Sequence, residues 1–249
     1  MIMRFYISVF LILMGFSSYS YAQQTGQYKI EATPKSILDE ETATLYNNIL
    51  NKNDKISWDI YVPTTYNIKN PPGVMVYVSN NNRTDIPVGW LKIMEERNII
   101  WIAAYMSGDS FATQKRTLKA LLALLLVEQK YMIDTERVFI SGFSTGANIA
   151  SIVSMDFPHM FKGAIFNNSA FFWKDNIPAQ MDLIKNNRYV FVTGRSDPYL
   201  LHMREVHRRY KKAGVEDSKL LVIPRWKHKN PTRRRFLEAL EYIDQGYSK

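Results

Sequence analysis

The 249-residue chain contains no cysteine. That absence excludes a disulfide framework, a thiolate metal site and a cysteine nucleophile. Glycine (11 residues) and proline (10) are scarce. With no repeats or linker-like stretches, collagen-like and low-complexity classes are excluded for the bulk of the chain. Long hydrophobic runs are also missing after the N-terminus. Leu118–Val127 is too short for a span and lies between charged stretches. Acidic residues are the minority charge, 23 against 32 Lys and Arg, which leaves a net charge of +9.

What is present is ordinary for a globular protein: 46% hydrophobic and 22% charged residues. The length suits one medium domain better than two. The charge is not evenly spread. Between Arg204 and Arg235 there are 12 basic and three acidic residues, an excess equal to the net charge of the whole chain. Such a segment raises a nucleic-acid or anionic-surface partner. It holds no recognised nucleic-acid motif, so no nucleic-acid partner is expected. The bland reading is the solvated face of two helices. The sharper one is a basic rim that attracts acidic polymers or an anionic cell surface.

The first 22 residues read as an address. A short basic start (Met1–Arg4), an apolar stretch (Phe5–Phe16) and small residues at Ser20 and Ala22 describe a secretory signal peptide. Cleavage is expected after Ala22, leaving an exported protein in the periplasm or outside the cell, with no transmembrane span. Residues 23–53 are expected to form a lead-in with one edge strand near Tyr28–Ala32, and residues 54–249 a single domain.

A regular rhythm follows. Strands are predicted at Ile56–Val62, Val74–Val78, Ile99–Ala104, Val138–Ile140, Gly163–Phe166, Tyr189–Thr193 and Leu220–Ile223. Helices are predicted at Trp90–Arg97, Thr113–Met132, Thr145–Met155, Pro198–Ala213 and Pro231–Tyr242. Such alternation gives an α/β fold, a mostly parallel sheet covered on both faces. Ligands in such sheets bind beyond the carboxyl ends of the strands, so chemistry is sought in the loops that follow them.

After Val138–Ile140 comes Ser141-Gly-Phe-Ser-Thr-Gly-Ala147, a Gly-x-Ser-x-Gly motif between a strand and a helix. The sharp turn raises the Ser144 hydroxyl clear of the sheet, and glycines remove the side chains that would collide there. The Thr145 N–H then faces the place where an oxyanion forms. A plain turn with Ser144 as a helix N-cap is the competing reading. A serine nucleophile needs a base, and the base needs an acid, in the chain order Ser, acid, His. Asp197 follows the strand at 189–193 and His228 follows the strand at 220–223. Asp197 also has a purely local reading, capping the helix after Pro198; Asp217 is a fallback, though it precedes the last strand. His202 and His207 are five apart inside a helix and make no metal pair. His159 precedes the wrong strand.

These residues make the chain resemble the alpha/beta-hydrolase superfamily, and within it the secreted polyhydroxybutyrate-depolymerase-like and feruloyl-esterase-like branch. The resemblance rests on Tyr131 through Gly146, on Asp156-Phe-Pro-His-Met-Phe161, on Gly194–Asp197 and on His228-x-x-Pro231. It covers roughly Ile56 to Pro231. It implies the alpha/beta-hydrolase fold, carboxylic ester hydrolysis, and no metal or cofactor. One departure concerns the second oxyanion donor, normally supplied by a His-Gly type sequence after the third strand. Here Val78-Ser-Asn-Asn-Asn-Arg83 stands, which leaves Asn80 or Asn81. Thr145 and Ala147 also replace commoner residues. The short interval Ala170–Arg188 leaves no room for a large cap domain, and an open site suits a bulky or polymeric ester. Phe171, Phe172, Trp173 and Trp226 are candidates for an acyl or aryl pocket, or for packing. Two other readings remain open: a serine peptidase on the same fold, and a non-catalytic hydrolase-like domain that binds an anionic surface.

Overall fold

The computed structural model describes residues 23–173 and 178–245. The expected signal segment, residues 1–22, lies outside them. Eight strands form one sheet: β1 (Gly26–Ala32), β2 (Ile56–Val62), β3 (Gly73–Val78), β4 (Ile99–Ala104), β5 (Val138–Phe143), β6 (Gly163–Asn167), β7 (Arg188–Gly194) and β8 (Ser218–Ile223). Their order is β1-β2-β4-β3-β5-β6-β7-β8. β2 is antiparallel to both its neighbours, and the strands from β4 to β8 are parallel. The edge strand near Tyr28 pairs along all of β2, so the lead-in belongs to the same sheet as the rest.

The β3 run Gly-Val-Met-Val-Tyr-Val is buried at every position because both faces of the sheet are covered. Alternate residues enter different cores. Val74, Val76 and Val78 face helices α4 (Thr113–Lys130) and α5 (Thr145–Asp156), in a core that continues under α7 (Leu200–Lys212) beside β7 and β8. Met75 and Tyr77 face α3 (Trp90–Glu96) and α8 (Arg233–Ile243). The stacked rings of Trp90 and Phe236 close that second layer, their centroids 3.5 Å apart.

Two short helices, α1 (Pro34–Ile37) and α2 (Glu40–Leu45), have no counterpart in the predicted pattern, and α6 (Met181–Asn186) is the one short helix for which Ala170–Arg188 leaves space. Each is six residues or fewer, too short to display a helical repeat. The first two are set by caps, Thr33 with Ser36 and Asp39 with Thr42. Between this arm and α4 lies a concavity of about 420 Å³ lined mainly by Leu38, Tyr46, Leu118, Leu121 and Leu125. No helix among the described residues is long and apolar enough to cross a membrane.

Candidate active site

The elbow between β5 and α5 is fixed by sterics. Ser144 has φ 55° and ψ −123°, a conformation that costs a non-glycine residue about 1–3 kcal/mol. The neighbours make it unavoidable. A Cβ on Gly142 would lie 2.4 Å from the Gly146 carbonyl, and one on Gly146 would lie 2.1 Å from the Val78 carbonyl oxygen. β3, the elbow and α5 therefore touch backbone to backbone. The end of β6 braces them: the Ser144 N–H donates to the Asn167 carbonyl (2.9 Å), and Asn167 Nδ2 donates to the Gly142 carbonyl (2.9 Å).

The candidate acid and base loops, which follow β7 and β8, are joined to each other before they meet Ser144. A Cβ on Gly194 would lie 2.0 Å from the Trp226 carbonyl oxygen, and the Ser196 N–H donates to that oxygen (3.0 Å). Asn168 Nδ2 donates to the Lys229 carbonyl (2.8 Å), and Tyr77 donates to Asn230 Oδ1 (3.2 Å). These holds leave His228 between Asp197 and Ser144. His228 Nδ1 is 2.9 Å from Asp197 Oδ2, and His228 Nε2 is 2.9 Å from Ser144 Oγ. A carboxylate accepts, so Nδ1 carries the proton and Nε2 is left as an acceptor for the serine hydroxyl. The Asp197 side chain is fully buried. Its other oxygen accepts the Tyr199 N–H at 2.7 Å. The local reading is not met: α7 begins at Leu200 behind Tyr199 with no side-chain cap bond, so this oxygen of Asp197 shapes the turn before the helix while the other holds the imidazole.

The two oxyanion candidates on the β3 loop differ. The Asn81 N–H donates to Ser79 Oγ (3.2 Å), and Asn81 Oδ1 accepts from the Ser79 hydroxyl and from the Arg83 N–H. Asn81 is thus spent on shaping its own turn. Among the described residues, neither the Asn80 N–H nor the Thr145 N–H meets an acceptor. Thr145 is the first residue of α5, where N–H groups have no intrahelical partner.

The aromatic candidates largely pack. Phe172 stacks on Trp173 (4.1 Å), and both lie against the buried Tyr210. Phe171 stays exposed. Trp226 lies under the Lys229 ammonium (4.1 Å) and donates its N–H to the Lys229 carbonyl, which folds the base loop on itself. The rings that flank His228 are instead Phe143 (5.1 Å) and Tyr199 (5.3 Å). Their positions, inside the Gly-x-Ser-x-Gly motif and two residues after the acid, were the available signals. His202 and His207 bond to the carbonyls of Ala170 and Ser218, and His159 lies near Gln180. Among the described residues no cluster of His, Cys, Asp or Glu is arranged to hold a metal ion.

The basic segment divides. Arg208 and Arg209 pair with Glu205, Lys219 and Arg235 with Glu238, and Arg233 with Glu96. Arg195 on the acid loop and Arg225, Lys227 and Lys229 on the base loop are exposed, with no carboxylate partner among the described residues.

The matching family model is that of the phospholipases and carboxylesterases, over residues 80–244. The chain belongs to this family of ester hydrolases. Curated protein sequences yield no match. Among solved structures, a feruloyl esterase module from Clostridium thermocellum superposes on this carboxylesterase-family chain with a TM-score of 0.64. It is 12% identical, over 88% of this chain and 89% of that one. S-formylglutathione hydrolase from Staphylococcus aureus gives 0.64 at 11% identity, over 88% and 99%. A Bacteroides ovatus protein described as a dipeptidyl aminopeptidase IV gives 0.60 at 12% identity, over 91% of this chain. This family member spans only 37% of that protein's length. At such identities the likenesses show the alpha/beta-hydrolase fold; among the described residues no cap domain is evident beside the eight-stranded sheet.

Proposed function

We propose that this protein is an exported serine esterase in which Ser144 is the nucleophile, His228 the base and Asp197 the orienting acid. The observation that carries this reading is the unbroken line of two 2.9 Å contacts from Asp197 through His228 to Ser144. His228 Nε2 takes the Ser144 proton as Oγ attacks the ester carbonyl carbon. Asp197 holds the tautomer and stabilises the imidazolium that forms. The oxyanion is received by the N–H groups of Thr145 and Asn80. Collapse returns the proton from His228 to the departing alcohol and leaves an acyl group on Ser144. His228 then activates water, which releases the acid and frees the serine.

Bulky, polymeric or anionic esters are the finer part of the proposal. Its support is the short β6–β7 connection and the four exposed cations, without a carboxylate partner among the described residues, on the loops that carry Asp197 and His228. Export rests on the pattern of residues 1–22.

Replacing Ser144 with Ala tests the core of the proposal. Hydrolysis of short p-nitrophenyl esters is expected to fall to background in a protein that still melts cooperatively. Wild-type rates in that variant would refute the assignment. For the charged rim, added salt is expected to slow a polyanionic ester and spare a neutral one; equal responses remove that part alone.

A further inference from the structure

Arg116 lies one turn into α4, and its guanidinium is 6% exposed. A buried cation is costly unless it is paired and hydrogen-bonded. Its pairing is sparse. Nη2 donates to the Ser79 carbonyl at 3.0 Å and lies 3.4 Å from Thr145 Oγ1. Nη1 stands 3.6 Å from Asp109 Oδ1, and Nε is buried without a partner among the described residues. Burial pulls the guanidinium pKa down, and Asp109 opposes that pull. Stability alone gives little reason for an arginine here, since an apolar side chain would avoid the desolvation. What its contacts share is location. They go to the β3 loop, to the first residue of α5, and to the β4 loop that closes over both.

We propose that Arg116 is a positioning residue for the oxyanion site. This rests on the serine-esterase reading above. The Ser79–Asn80 peptide is trans, so its C=O and N–H point in opposite directions. Clamping the carbonyl with the guanidinium aims the Asn80 N–H away from α4. That peptide runs beside the N-terminus of α5: the Ser79 carbonyl carbon is 2.9 Å from where a Cβ on Gly146 would stand. A cation on the carbonyl also polarises the amide and strengthens its N–H as a donor. The charge serves a second purpose. The Thr145 hydroxyl donates to Asp109, which brings a carboxylate close to the place where negative charge develops. Arg116 faces the same carboxylate and offsets its field. The departure from a His-Gly sequence after β3 thus acquires a counterpart, a side chain from α4 that sets what glycine geometry sets elsewhere.

The test compares wild type with R116Q and R116K, with kcat expressed per active site titrated by a fluorophosphonate. That normalisation removes any misfolded fraction, which a merely structural role would produce. In R116Q, kcat per titrated site on a neutral p-nitrophenyl ester is expected to fall about 30-fold with KM within about twofold. That lies below the roughly 100- to 1000-fold loss for deleting an oxyanion donor outright. R116K keeps the charge without the planar fork and is expected to lose about fivefold. Wild-type kcat per titrated site in either folded variant overturns the proposal, and R116K carries the test if R116Q does not fold. A wild-type protein that the fluorophosphonate never labels would overturn the serine-esterase reading instead, so the two failures are distinct.

Discussion

The two sides of the site are held by different means. The elbow around Ser144 is set by backbone: Gly142 and Gly146 sit where a methyl group would overlap a carbonyl, and β6 accepts the serine N–H. The loops around it are set by side chains. Arg116 holds the β3 loop, Lys119 holds the carbonyls of Tyr105 and Met106 on the β4 loop, and Asn168 holds the base loop. Asp59 ties the first two together, accepting from Thr84 and from Tyr105. Backbone approach requires glycine and leaves a motif. A side-chain clamp needs only a donor of the right reach, from a residue far away in sequence, and leaves none.

Breaking the backbone side is expected to cost most. Gly146→Ala places a Cβ 2.1 Å from the Val78 oxygen, so strand, elbow or helix must move. Esterase activity is expected to drop by at least about 1000-fold, with destabilisation of about 3 kcal/mol or more by thermal melting. A G146A protein with near wild-type activity would show that the elbow tolerates displacement.

Next comes Asp197→Asn, which keeps the size of the side chain but favours the wrong imidazole tautomer. The expected loss in kcat is about 10⁴-fold, with a melting temperature close to wild type. A loss below tenfold would assign Asp197 only its task in the turn before α7. Asn168→Ala removes one clamp from the base loop. The expected cost is about 1 kcal/mol in stability and a several-fold loss in kcat, read by melting and steady-state kinetics.

The smallest effect concerns Lys119. Burial, reinforced by the neighbouring Lys115, pushes its ammonium down to about 8. The unfolded chain, with an ordinary lysine near 10.4, therefore binds more protons between those values. Folding stability from this group rises as pH climbs from about 8 towards 10. Lys119→Met is expected to remove that rise, visible as a flatter difference in melting temperature between pH 8 and 10. Parallel slopes in variant and wild type would contradict it.

The same contrast explains how much was legible in the sequence. All eight strands and the five long helices follow from apolar runs, helical spacing and the proline and glycine that bound them. Ser144, Asp197 and His228 were singled out by motif and chain order, because each sits directly after a strand, and the fold brings their side chains into contact. The β3 loop offered Asn80 and Asn81 equally; only Asn81's bond to Ser79 separates them. Phe172 and Trp173 had the composition of a pocket, but they stack on Tyr210, a contact set by α7 and not by their own neighbourhood. Arg116 reads as one more basic residue on a long helix until the fold brings Ser79 and Asp109 to it.

The most direct test of the account maps a fluorophosphonate adduct by peptide mass spectrometry on the folded wild-type protein. The account predicts stoichiometric modification at Ser144, none in S144A, and a rate that falls when His228 is replaced. An unlabelled wild type, or an adduct on another residue, would contradict it.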